Sequence, residues 1–121
     1  MLSWLLVFPA RADELADFNA AAAAAEQHQR AALAYVHKGD IEGAGLEITE
    51  MRRAWSRVTA LKRPAALNHD PQLYTTTMLT ISTQLVGASI MIQSGRPGAA
   101  RKSLEDIPVQ LEALRRANGI E

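Results

Sequence analysis

Cysteine is absent from the 121 residues, and its absence removes several chemistries at once. There is no means of forming a disulfide, a thiolate zinc site, a cysteine-held iron–sulfur cluster or a haem attached through a Cys-x-x-Cys-His motif. Charge of one sign is also lacking, since 13 Lys and Arg balance 13 Asp and Glu. No overall field then draws the chain to nucleic acid or to an anionic membrane, and no nucleic-acid partner is expected. The apolar run at the N terminus, Leu2 to Phe8, is too short to span a bilayer.

Catalytic and metal-binding patterns are equally scarce. The three histidines are His28, His37 and His69, and the nine-residue spacing of the first two puts them on opposite faces of a helix, where they cannot chelate together. No Glu-x-x-His pair offers the carboxylate di-metal site that four-helix bundles can host. Met51 and Met78 fall on apolar stripes where methionine serves as filler, and Met91 adds no pattern of soft-metal ligands. No serine or threonine lies in a strand-turn-helix nucleophile motif. The reading is therefore of a chain with no catalytic residues, no metal and no cofactor-binding residues, and so a non-enzyme.

What is present is helical periodicity. About half of the residues, 48%, are apolar, which is enough for one continuous core in a chain of this length. Four segments carry 3-4 spacing, which lays one apolar stripe along each helix. The stripes are Leu15, Phe18, Ala22, Ala25, Gln29, Ala32 and Val36; Ile41, Ala44, Ile48, Met51, Trp55 and Val58; Tyr74, Met78, Ile81, Leu85, Ala88 and Ile92; and Ala100, Leu104, Ile107, Leu111 and Leu114. Shifting the first two by 56 residues, the separation of Gly39 and Gly95, reproduces the other two, so the chain reads as internally duplicated. Gly39 is placed to end the first helix in the left-handed conformation, with Asp40 capping the second. Arg63 and Pro64 stop the second helix, Asp70 and Pro71 start the third, Gly95 and Pro97 repeat the hairpin turn, and Gly119 ends the fourth. Pro108 removes a backbone hydrogen bond inside the fourth helix and crowds the carbonyl of Leu104, so a kink is expected there. The predicted fold is all-α: two internally related antiparallel helical hairpins, 13–63 and 71–119 with a linker at 64–70, forming a four-helix bundle or, alternatively, a stack of hairpins.

The N terminus suggests export. Leu2 to Phe8 followed by Ala10, Arg11 and Ala12 resembles the apolar core and small-x-small cleavage site of a signal peptide, although the preceding basic region is missing. On this reading residues 1–12 are a signal-peptide remnant, Asp13 begins the mature domain at 13–121, and the protein is periplasmic or secreted.

Three regions bear on binding. Arg52, Arg53, Arg57, Lys62 and Arg63 gather toward the end of the second helix, with Glu42, Glu47 and Glu50 toward its start, the order that the helix dipole favours. Trp55 falls opposite the alanine run Ala20 to Ala25, so that Ala22, Ala25 and Trp55 either pack together or border a cavity for an apolar small molecule or non-covalent cofactor. The third helix, from Pro71 to Gly95, contains no Asp, Glu, Lys, Arg or His. Beside its core stripe lie Thr76, Leu79, Thr80, Thr83, Val86, Gly87 and Ile90, a small and semi-apolar surface suited to a homodimer or protein partner. Stable membrane insertion is not expected, given its threonines and glutamines.

The turn-centred residues Ala32, Tyr35, Gly39, Asp40, Ala44 and Ile48, echoed by Ala88, Gly95, Ala100 and Leu104, resemble the skeleton of a tetratricopeptide repeat, which implies a protein-interaction scaffold. The offset of 56 departs from that family's period of about 34. The four helices, the export signal and the tail from Leu111 to Ile120 resemble the cytochrome c′ type of exported four-helix bundle. That resemblance implies fold and dimerisation alone, because the chain has no cysteine and no histidine after His69. The functional expectation is an exported binding or assembly module acting through protein–protein association, with a carrier of an apolar small molecule as the alternative.

Overall fold

The structure, a computed structural model, describes the backbone of residues 7–120 and the side chains of residues 13–120. Four helices follow one another: α1 (Val7–Lys38), α2 (Ile41–Ala60), α3 (Pro71–Gln93) and α4 (Pro97–Ala117), with a short 3₁₀ turn (Ala65–Leu67) between α2 and α3. Among the described residues there is no strand. The expected signal segment lies partly outside them; its residues from Val7 onward belong to α1, which runs unbroken past Ala12 and Asp13.

The hairpin turns follow from glycine chemistry. Gly39 and Gly95 have φ of 72° and 77°, a left-handed region that a Cβ disfavours. This lets the next residue reach back across the helix end. Asp40 N–H donates to Tyr35 O and Arg96 N–H to Met91 O, both at 2.9 Å. Gly119 repeats the device at the end of α4, where Ile120 N–H donates to Arg115 O. The new helices start differently. Asp40 Oδ1 accepts from Gly43 N–H, and Asp70 Oδ1 from both Gln72 and Leu73 N–H, whereas Arg96 gives no side-chain cap and α4 opens with Pro97.

Within each hairpin α1 packs on α2 and α3 on α4; α2 also contacts α3, and α4 returns to α1, which closes the four helices into a bundle. The core is the four stripes. Phe18, Ala22, Ala25, Gln29, Ala32 and Val36 are buried, as are the second stripe from Ala44 to Val58 and every residue of the third and fourth. Residues 56 apart share this fate: Phe18 and Tyr74, Ala22 and Met78, Ile48 and Leu104, Trp55 and Leu111 are all buried. The apolar members supply the main driving force, about 1.5 to 3 kcal/mol for each fully buried large side chain. Ile41 departs from its stripe at 44% exposure, because it is the first residue of α2 and has no further turn beside it.

Two local details, one polar and one steric, hold the helices in register. Pro108 sits inside α4 and has no N–H to give the carbonyl of Leu104, four residues earlier. Gln29 of α1, itself 3% exposed, donates its Nε2 to that carbonyl at 2.9 Å. The stripe glutamine thus answers the proline, since without Gln29 the carbonyl that Pro108 leaves free would be a buried polar defect. In the first hairpin, Tyr35 lies so close to Gly43 that a Cβ there would clash with the ring. Only glycine lets α2 pass under this tyrosine.

The linker is anchored rather than loose. Pro64 and Leu67 are fully buried, Glu14 of α1 accepts from Ala65 N–H, and Asn118, just after α4, accepts from His69 N–H.

Candidate functional site

The outer face of α3 is unlike that of any other helix. Gln72, Thr76, Leu79, Thr83, Val86, Ile90 and Gln93 succeed one another at alternating steps of four and three, and all are exposed. They form a second stripe on the side of α3 turned away from the core, of the kind that packs helix against helix. Leu79, Val86 and Ile90 are 67%, 48% and 54% exposed, and they account for half of the large exposed apolar side chains among the described residues. Thr80, beside the stripe, donates its hydroxyl to Thr76 O at 2.8 Å, which satisfies the group internally. Gly87 is half-buried, with open space where a Cβ would stand, so it leaves a shallow notch in the helix surface.

Outer faces elsewhere are charged. On α4, Arg101 pairs with Glu105, Lys102 with Asp106 and Arg116 with Glu112; on α2, Arg53 pairs with Glu50. These exposed pairs contribute little to stability but keep the surface solvated. By length and composition α3 is also apolar enough to cross a membrane, with 39% of its most apolar window buried in the bundle.

The candidate cavity residues lie in the core. Ala22 and Ala25 are buried, and Trp55 is 4% exposed. The indole N–H is directed to α3, where it donates to Ser82 Oγ at 2.8 Å, and Ser82 in turn donates to Met78 O at 3.0 Å. This chain satisfies the ring's one polar atom and ties α2 to α3, a partner that spacing within hairpin one did not reveal.

The basic residues expected toward the end of the second helix disperse. Arg52, Arg53 and Arg57 are exposed on α2, whereas Lys62 and Arg63 fall beyond its last residue, Ala60: Lys62 approaches Glu14 at 3.6 Å and Arg63 turns to the start of α3. An open depression of about 290 Å³ is lined by Thr49, Arg52, Arg53 and Ser56. A second, of about 240 Å³, lies between the end of α2 and the start of α3 and is lined by Thr59, Leu61, Arg63, Tyr74 and Met78. His28 is half-buried and lies 3.0 Å from Glu47, whereas His37 and His69 are exposed. Among the described residues no group of three His, Asp or Glu side chains is placed to hold a metal ion.

The fold and surface define a closed antiparallel four-helix bundle with one uncharged outer helix face. Comparison with protein-family models, curated proteins and solved structures gives no match.

Proposed function

We propose that the protein is a non-enzymatic association module, exported to the periplasm or secreted, that pairs with a second copy of itself through the outer face of α3. The observation that carries this reading is the exposed 3-4 stripe from Gln72 to Gln93, free of any ionisable group.

The stripe is nearly symmetric about its centre, which favours a second copy over an unrelated partner. A two-fold axis passing between Ser82 and Thr83 sets two α3 helices antiparallel, with Leu79 level with Val86 of the other copy, Gln72 level with Gln93, and Thr76 within one residue of the level of Ile90. Apolar groups then meet apolar groups or methyls, and amides meet amides at both ends. No like charges are brought together, and the antiparallel order opposes the helix dipoles favourably. The seam extends over roughly 31 Å of helix. Export is supported by Leu2 to Phe8 and the Ala10, Arg11, Ala12 sequence.

Sedimentation equilibrium tests the reading directly. A reversible dimer is expected in the wild-type chain and a monomer of unchanged helicity in Val86→Glu, since the seam would then set two carboxylates in an apolar strip. A wild-type chain that stays monomeric at high concentration, or a Val86→Glu variant that stays dimeric, removes the α3 interface.

A further inference from the structure

We infer that the depression between the end of α2 and the start of α3 is a binding site for a small monocarboxylate with an apolar body, anchored by Arg63. The inference is independent of the α3 seam, which lies on another side of that helix.

Arg63 is half-buried, and its Nη1 and Nη2 donate to Asn68 Oδ1 and Thr75 Oγ1, both at 3.1 Å. Its central carbon stands 5.0 Å from the centre of the Tyr74 ring. Both acceptors are neutral, and among the described residues no carboxylate lies within ion-pairing distance of Arg63. Its Nε is enclosed with no hydrogen-bond partner. An arginine in such surroundings has a fixed position, an unneutralised charge and, by valence, one N–H left on each terminal nitrogen.

Those two N–H groups suit a carboxylate, which accepts from the guanidinium fork with two oxygens. The rest of the lining sets the ligand's body: Leu61 and Met78 are apolar, Tyr74 presents an aromatic ring, and Thr59 adds one hydroxyl at the rim. A single guanidinium balances a monoanion. A phosphate dianion would bring a second negative charge that Arg63 alone does not balance, and further charged oxygens against Leu61 and Met78, which offer no donor. The volume of about 240 Å³ falls below the 300 to 1,000 Å³ or so of sites for drug-sized ligands, which restricts the body to a few carbon atoms.

Calorimetric titration of the full chain with hexanoate, hexanol and inorganic phosphate tests this without any variant. Saturable one-to-one binding of hexanoate, at least about tenfold tighter than hexanol and tighter than phosphate, is the expected result, accompanied by a shift of the Met78 methyl resonance. Arg63→Lys keeps the charge but loses the fork, and should weaken hexanoate by about tenfold while the helical circular dichroism is retained. N-acetyl-leucine separates two sources of the same chemistry: tighter binding than hexanoate identifies a peptide C terminus, and weaker binding identifies a free aliphatic acid. Equal affinity for hexanol, tighter binding of phosphate, or no saturation by roughly 10 mM hexanoate would overturn the site.

Discussion

Gln29 and Pro108 show how a residue gains meaning from a partner far away in the chain. Replacing Gln29 by Leu leaves the carbonyl of Leu104 buried without a donor, and should cost about 1 to 3 kcal/mol in urea denaturation. Adding Pro108→Ala restores an N–H inside α4, so the double variant should recover most of that loss; additive effects would show that the two residues do not act on the same carbonyl. At Gly43 the physics is steric: alanine would meet the Tyr35 ring, and a loss of about 1 to 3 kcal/mol is expected. Trp55→Ala should cost roughly 3 to 5 kcal/mol, because it empties the α2–α3 contact and removes the hydrogen bond to Ser82. Tyr74 adds a pH dependence. Burial pushes its phenol above the ordinary 10.0, an effect that the nearby Arg63 partly offsets. Below pH 10 the phenol is neutral in both folded and unfolded chains and the contribution is fully present; as pH rises through the raised value it is lost, because the unfolded chain ionises more readily. Wild type should therefore lose stability above pH 10 more steeply than Tyr74→Phe when denaturation is followed across that range.

At the scale of the element, α3 is distinguished by what its outer face omits. Helices α2 and α4 keep their outer faces wet with ion pairs, whereas α3 presents Leu79, Val86 and Ile90. Gly87→Ala separates intrinsic helix stability from association. Alanine should raise monomer stability by up to about 1 kcal/mol, since space for its Cβ is open, and should weaken the dimer if the second helix approaches closely at the notch. Matched thermal melts and sedimentation runs read the two effects separately. The residues of this face were legible from the sequence, because a helix with no charge from Pro71 to Gln93 stands out against a chain that is 21% charged. Their 3-4 order along an exposed line emerges only when the core line of the same helix is known.

For the whole molecule, the linker matters as much as the hairpins. Each hairpin on its own would expose the side it turns toward the other, and the buried Pro64 and Leu67 fill the end of the bundle where the two halves join. Leu67→Ala should cost about 2 to 5 kcal/mol and lower one cooperative transition rather than split it in two, a result visible as superimposable fluorescence and circular dichroism melts. Native mass spectrometry of the chain produced in a host with a working secretory pathway checks the export and dimer readings together. The expected product begins at Asp13 and has twice the mass of the processed chain.

Periodicity was sufficient to identify the four helices, their core stripes and both hairpin turns, because 3-4 spacing and left-handed glycines are local properties that a chain carries into any compact state. The duplication was legible for the same reason. Tertiary structure decided which side chains meet across hairpins: Trp55 with Ser82, Gln29 with the carbonyl freed by Pro108, and Arg63 with Tyr74 and Thr75. Such pairings depend on the rotation and axial offset of one helix against another, which no single stripe encodes. Closure of the ring was decided at that same level, by the return of α4 to α1, since the apolar area of four stripes can be buried either in a bundle or in a stack.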